Sequence, residues 1–309
     1  MSKINKTLVM KAKARGTDMN NHDPKENQYV KQILNVLIYI ESHIEDEITI
    51  EELAKIACYS PFHFYRIFHA IAGETVHKYV RRLRLEKAAG KLQYTSKPIT
   101  DIALDSNFDT SSAFTKAFKQ CMGKSPRNYR LNYKLLYKEV NAMTKKINNL
   151  PMILPEKIET IPNINILFIR RCGNYATSSN SAWEAMLAFI NENKLDHSKL
   201  RFFTVFHDDT EITNEDKLRF DACVQVPREI QESGEVARKI INGGKYAIFT
   251  HHGEHQYIEN TFDRIFLKWF PNSKDNFDEN RPCFCEHFHL EFIDTAESKL
   301  TTKIYIPIS

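Results

Sequence analysis

Tyr59-Ser60-Pro61-Phe62-His63-Phe64-Tyr65-Arg66-Ile67-Phe68 is the stretch on which the fold turns. Ser60 is a helix-capping type, and Pro61 suits the first helical position, where an N–H has no partner anyway. Phe64, Ile67, Phe68 and Ile71 then recur at helical spacing and can fill a core. Phe62, Tyr65, Arg66 and His69 form the other stripe. A cation, a phenol, an imidazole and an apolar ring suit phosphates, base edges and thymine methyls in a major groove. The competing reading is an ordinary solvated face with stray aromatics. Upstream, Thr49-Ile50-Glu51-Glu52 has the form of a capping box and opens a short helix over residues 50–57. Cys58-Tyr59 makes the turn. Two short helices around a tight turn make a helix-turn-helix.

Working outward, the unit repeats. Leu53-Ala54 returns as Ile102-Ala103, and Tyr59-Ser60 as Phe108-Asp109. Arg66, Phe68 and Gly73 return as Lys116, Phe118 and Gly123, with one extra residue absorbed in the turn. Asp109 is the expected cap of the second recognition helix. Phe114, Ala117 and Phe118 should face inward, and Ser111, Ser112, Thr115, Lys116 and Lys119 outward. A helix precedes the first unit over residues 28–42. Another, over residues 75–92, carries Arg81, Arg82, Arg84, Lys87 and Lys91 between the two units. Held apart by it, both recognition helices could enter successive major-groove segments about 34 Å apart, so that one chain binds DNA without a partner. The repeat argues strongly against the solvated-face reading.

Charge divides the chain in the same place. Residues 1–150 hold 25 Lys and Arg against 15 Asp and Glu, a net of +10, while residues 151–309 hold 18 against 24, a net of −6. The modest total of +4 hides this split. A basic half beside an acidic one points to nucleic acid on one side and a different partner on the other. The cations are expected along the two recognition helices and the helix between them. A length of 309 residues fits two domains. The predicted division is a disordered basic arm over 1–27, the double helix-turn-helix over 28–131, a linker over 132–154 and a second, acidic domain over 155–309. No apolar run is long enough to span a membrane. Six scattered cysteines without a signal peptide predict reduced thiols and a cytoplasmic location.

In the acidic half the pattern changes to strand, Gly turn, helix and two strands, and it occurs twice. The strands are expected over 164–170, 201–206, 220–226, 243–250, 283–292 and 303–307, and the helices over 181–191 and 258–270. Gly173-Asn174-Tyr175 and Gly253-Glu254-His255 sit at matching turns. Two such units predict an antiparallel sheet flanked by helices, an α+β domain. Glu286 is its sharpest residue, because Phe284, Glu286, Phe288 and Leu290 share one strand face. A carboxylate in an apolar row is costly to bury without a partner. A resident Arg or Lys, a Tyr hydroxyl, protonation or a cationic ligand could each compensate it, and an exposed face would remove the problem. Cys283, Cys285, His287 and His289 lie opposite, but at about 3.3 Å per residue they are too spread for one ion, so no metal is expected. His251, His252 and His255 are read as turn residues. No phosphate loop, dinucleotide motif or Ser-His-Asp spacing is present.

Two resemblances follow from these motifs. Ile99-Thr100-Asp101-Ile102-Ala103, Asn107-Phe108, the run Phe114–Lys119, Gly123, Ser125-Pro126-Arg127 and Tyr129-Arg130 resemble the signature of AraC/XylS transcription regulators, and residues 59–68 with 79–84 fit it too. That resemblance implies DNA reading by Phe62, Tyr65 and Arg66 from the first unit and by Ser111, Ser112 and Lys116 from the second. Cys58 and Asn107 stand where the family often has Gly, and Lys116 where Arg is common. Residues 155–309, through Arg171-Cys172-Gly173-Asn174-Tyr175, Trp183, Gly243-Gly244-Lys245-Tyr246, His252-Gly253, Trp269 and Glu286-His287-Phe288, resemble gyrase-inhibitor-like effector domains. That resemblance implies two βαββ units around a cleft for lipophilic cations. Glu286 would be the buried acid, Tyr175 and Trp183 its ring partners, and Phe288 would stand where Tyr is usual. The reading as a whole is a transcription regulator without cofactor or enzymatic activity. Its partners would be double-stranded DNA, a small-molecule effector (a lipophilic cation among the candidates) and RNA polymerase. The alternatives for the acidic half are a protein-interaction module and a small-molecule hydrolase with Glu286 as general base.

Overall fold

The computed structural model describes residues 24–143, 152–226, 230–288 and 300–309. The predicted arm lies outside these residues, apart from its last four, which form the first turn of α1 (Pro24–Ser42). Six more helices follow: α2 (Ile50–Ile56), α3 (Pro61–Ala72), α4 (Val76–Tyr94), α5 (Ile99–Asp105), α6 (Ser111–Met122) and α7 (Pro126–Met143). The pairs α2–α3 and α5–α6 are the two helix-turn-helix units. Cys58 and Asn107 turn the chain in the left-handed region, at φ 58° and 56°.

The caps differ in part from expectation. Thr49 Oγ1 accepts from the Glu52 N–H at 3.2 Å. The Glu52 carboxylate does not reach back; it accepts from the Tyr39 hydroxyl of α1 instead. In the second unit Thr110, not Asp109, caps the helix: α6 begins at Ser111, and Thr110 Oγ1 accepts from the Ala113 N–H at 3.1 Å.

Helix α4 joins the units by serving two cores. Val76, Tyr79, Val80 and Leu83 pack with Phe64, Phe68 and the Ile33, Val36 and Ile40 face of α1. Further along the same helix, Leu85, Ala88, Ala89 and Leu92 pack with Ile102, Phe114 and Phe118. Most α4 cations are engaged within the protein. Arg82 pairs with Glu74 and Glu86, Arg84 donates to the Ile44 and Asp46 carbonyls, and Lys87 and Lys91 pair with Glu45. Asn107 Nδ2 donates to the Glu45 and Asp46 carbonyls. Arg82, Arg84, Lys87 and Lys91 therefore brace the two units, and of the six Lys and Arg residues of α4 only Lys78 and Arg81 are exposed.

The second half is one antiparallel sheet of eight strands: β1 (Lys157–Ile161), β2 (Ile164–Cys172), β3 (Arg201–Phe206), β4 (Arg219–Gln225), β5 (Ala237–Ile241), β6 (Gly244–His252), β7 (Cys283–His287) and β8 (Thr301–Pro307). Helix α8 (Tyr175–Glu192) follows β2, and α9 (Ile258–Arg264), continued by a π-helical turn, follows β6. The strand order β1-β6-β8-β7-β3-β4-β2-β5 reads the same from both ends when one unit is exchanged for the other. The duplication is thus structural, and Gly173 and Gly253 make equivalent turns at φ 124° and 114°. Each unit lends its first strand to the other: β1 pairs with β6, and β5 with β2. The sequence reading does not assign these two edge strands. Helices α8 and α9 cover one face of the sheet. The inner face carries Phe168, Phe203, Cys223, Tyr246, Ile248, Phe284 and Tyr305, and Leu34 and Ile38 of α1 pack onto it. No helix among the described residues is long and apolar enough to cross a membrane.

Candidate nucleic-acid interface and effector cleft

The stripe of α3 opposite its core is open. Phe62 is 75% exposed and Tyr65 41%, although apolar surface of that size is normally buried. The Arg66 guanidinium lies 5.8 Å from the Phe62 ring centre, so ring and cation form one patch. On α6, Ser111, Ser112 and Lys116 are exposed while Phe114, Ala117 and Phe118 are buried. All six predicted DNA-reading residues stand on outward faces.

Glu286 lies on the inner face of the sheet and is nearly buried, at 5% exposure. Both of its oxygens are engaged. Oε1 accepts from Arg201 Nε and pairs with Nη2, each at 2.8 Å. Oε2 accepts from the Tyr305 hydroxyl at 2.6 Å. Burial and the neighbouring carboxylate push the Tyr305 hydroxyl well above its ordinary pKa, so it remains a donor. Aromatic rings floor the site. Tyr305 stacks on Phe284 at 4.3 Å between ring centres, and Tyr246 meets Phe284 edge-on at 5.4 Å. The Arg201 guanidinium sits 5.0 Å from the Phe203 ring centre.

The same inner face docks the DNA-reading half. Glu41 of α1 accepts from Arg170 and Arg219, at 2.5 and 2.8 Å. Behind them, Arg170 and Lys239 hold Asp221, and Arg219 holds Asp208. Burial raises the pKa of the Glu41 carboxyl, but Arg170 and Arg219 outweigh it and hold the group well below the usual range. His207 touches Asp221, yet burial keeps its pKa below the ordinary value. A second contact runs from α4: the Tyr94 hydroxyl donates to Asp209 at 3.0 Å, and its ring packs near Phe266 and Phe277.

Comparison with known proteins agrees with both halves. Residues 53–132 match a helix-turn-helix domain family, and residues 156–309 match the GyrI-like small molecule binding domain. The regulatory protein SoxS of Salmonella typhimurium is 34% identical over 101 residues, which cover 32% of this chain and 94% of SoxS. This chain belongs to the AraC-type family of transcription regulators. The right origin-binding protein of Escherichia coli is 38% identical over 98 residues, covering 32% of this chain and 34% of that protein. YbfP, an uncharacterized HTH-type transcriptional regulator of Bacillus subtilis, is 38% identical over 121 residues, covering 38% of this chain and 41% of YbfP. The chain thus spans well under half the length of these last two relatives.

Within this AraC-type frame, the residues predicted for the ligand separate onto two faces. Glu286 faces inward with Arg201 and Tyr305. Tyr175 and Trp183 belong to α8 and pack on the helix-covered face. The Tyr175 hydroxyl donates to the Asp208 carbonyl at 2.8 Å, and Trp183 meets His287 edge-on at 5.8 Å. The structure does not bring these two rings to Glu286, because strand alternation places β7 residues 285 and 287 toward α8 and α9, and 284 and 286 away. Phe288 is 48% exposed, with the Lys303 ammonium 5.2 Å from its ring centre. The rings that do surround Glu286 are Phe203, Phe284 and Tyr305. Period-two alternation in 201–206 and 303–307 was the available signal, since Arg201, Phe203 and Tyr305 need only the correct register opposite Glu286. The histidines also differ from a simple turn. His251 is buried and bonds Thr261, while His255 bonds His287, which in turn bonds Thr204. Among the described residues no three His, Cys, Asp or Glu side chains come together as metal ligands, and His289 lies outside them.

Proposed function

We propose that this chain is a sequence-specific DNA-binding transcription regulator that binds DNA as a monomer. In this reading, residues 28–131 read DNA, 132–154 link, and 155–309 receive a small organic effector, lipophilic cations among the candidates. The duplicated helix-turn-helix with two open, cation-bearing recognition faces carries the reading. Phe62, Tyr65 and Arg66 would meet one major-groove segment, and Ser111, Ser112 and Lys116 the next. Lys116 is a point charge rather than a planar fork, so the second unit would lean on phosphates. RNA polymerase is the further partner such a regulator would address.

The buried site at Glu286 is the proposed effector site, with Phe203, Phe284 and Tyr305 around it. Helix α1 supplies the route between halves. Leu34, Ile38 and Glu41 meet the sheet, while Ile33, Val36 and Ile40 belong to the core of the first unit. A ligand acts through this route only if it binds two arrangements of the halves unequally. A hydrolase would need a carboxylate free to take a proton from water. Both Glu286 oxygens already accept hydrogen bonds, which favours a receptor over an enzyme. Electrophoretic mobility over a salt series tests the DNA reading. Arg66→Ala should cost about 1–3 kcal/mol and relax sequence preference, and Lys116→Ala should weaken all sequences evenly and lower the salt slope by about 1. Specific binding unchanged in both variants defeats the assignment.

A further inference from the structure

The arrangement around Glu286 has an asymmetry. The acid is nearly buried and fixed on a central strand, where it lies opposite Phe203 of β3. Its cation is not fixed in the same way. The Arg201 side chain is half exposed, at the start of β3, and reaches inward from the solvent side. There it presents a planar delocalised cation to the carboxylate and to the face of Phe203 at once. Its remaining tie is a 3.2 Å hydrogen bond to Gln225. Every feature that would hold a flat organic cation is present, and one of the protein's own side chains occupies the place.

We infer that Arg201 is a displaceable plug, and that the Glu286 site selects planar, delocalised organic cations able to take its place. The inference rests on the effector-cleft reading above and narrows it to a ligand class and a specificity-determining residue. Outward rotation of Arg201 leaves a carboxylate at 5% exposure hydrogen-bonded to the Tyr305 hydroxyl alone, because Lys303, opposite it on β8, is turned toward Glu156 and the Phe288 ring. An unpaired buried charge is strongly unfavourable, so the plug leaves only when another cation enters. A neutral ring cannot replace it. A compact ammonium is strongly hydrated and lacks the flat face that stacks on Phe203. An amidinium or aromatic cation supplies both the two-pronged pairing and the stacking. Affinity in the wild type is then lowered by the competition of an intramolecular cation at high effective concentration.

The test is calorimetry on the full chain without DNA, using benzamidinium as probe and benzylammonium and benzyl alcohol as controls. Arg201→Ala should bind benzamidinium at least tenfold more tightly than the wild type, and Arg201→Ala combined with Glu286→Gln should lose that gain. Arg201→Gln provides a second variant that keeps a donor. In thermal unfolding, benzamidinium should stabilise Arg201→Ala more than the wild type. If Arg201→Ala and Arg201→Gln bind no more tightly while Glu286→Gln still weakens the wild type, the plug is refuted and the effector cleft stands. Equal binding of benzamidinium and benzylammonium by the plug-free variants overturns the selectivity. If no variant binds and Glu286→Gln changes nothing, the plug and the effector-cleft reading both fail.

Discussion

Glu41→Gln is the perturbation that weighs the contact between the two halves. The buried network holds three cations (Arg170, Arg219 and Lys239) and three carboxylates (Glu41, Asp208 and Asp221), with His207 kept from protonating by burial. Only Glu41 comes from the DNA-reading half. Its removal leaves one surplus positive charge at side chains no more than 11% exposed. Each arginine retains a carboxylate, so the cost falls below the ~3–5 kcal/mol of an orphaned buried ion. Loss of charge-assisted hydrogen bonds sets it at about 1.5–3 kcal/mol. A double-mutant cycle of Glu41→Gln with Arg170→Met, followed by urea unfolding of the full chain, isolates the coupling. A coupling energy under about 0.5 kcal/mol refutes the reasoning, because that is the range of distant, independent sites. The pH dependence gives a second check. Glu41 has a depressed carboxyl pKa when folded, so its contribution is complete above the unfolded value near 4.3 and is lost as pH falls through the folded value. The difference between wild type and variant should be flat from neutral pH to about pH 5 and shrink below it.

Two further outcomes concern the effector half. Burial, with His255 nearby, lowers the His287 pKa to about 3, so between about pH 6.5 and 3 the unfolded chain takes up a proton that the folded one refuses, and stability falls on acidification. His287→Gln should flatten that acid limb in a pH series of thermal unfolding, and an unchanged slope contradicts the burial. At Gly243 an added Cβ would lie 2.4 Å from the Ile161 carbonyl oxygen and 2.6 Å from the Pro162 carbonyl carbon. Gly243→Ala must therefore shift backbone where β1 joins β6, at a cost of about 1–3 kcal/mol by analogy with overpacking; circular dichroism melts that match the wild type would show the approach to be looser.

The helical half was legible because its information is local. Capping residues, the two core stripes and the repeat each sit within one or two turns of chain, and the left-handed Cys58 and Asn107 fall where the turn requires them. Thr110 was missed as a cap only because Asp109 beside it is an equally good capping type. The sheet was less legible for a physical reason. Strands β1 and β5 are short and lie at the sheet edges, where Lys157, Arg238 and Lys239 discourage further pairing but also disguise a strand. Their partners lie in the opposite unit. The Glu286 site depended on register in the same way: alternation told which residues share a face of one strand, but not that Arg201 and Tyr305 come to the same acid. The charge split showed that the halves differ. It did not show that Glu41 and Arg219 bind them together.

The position of α1 makes the two DNA-reading units unequal. Leu34 belongs to the same apolar cluster as Phe203, Phe284 and Tyr305, so a change in the cleft walls is felt by α1 through packed atoms. The opposite side of α1 is part of the first core, whereas the second unit meets the effector half at Ile212 and, through Tyr94, at Asp209, Phe266 and Phe277, none of which belongs to the cluster of Phe203, Phe284 and Tyr305. Coupling should therefore fall mainly on the segment of DNA read by α3. Leu34→Ala tests this without touching an outward face. It removes part of the contact, at about 2–5 kcal/mol for a buried Leu, and leaves Phe62, Arg66 and Lys116 in place. Footprinting should show altered protection of the segment that loses contacts in Arg66→Ala, and unaltered protection of the segment assigned by Lys116→Ala. Equal change in both would mean that α4, which is rigid and shared by both cores, transmits the signal instead.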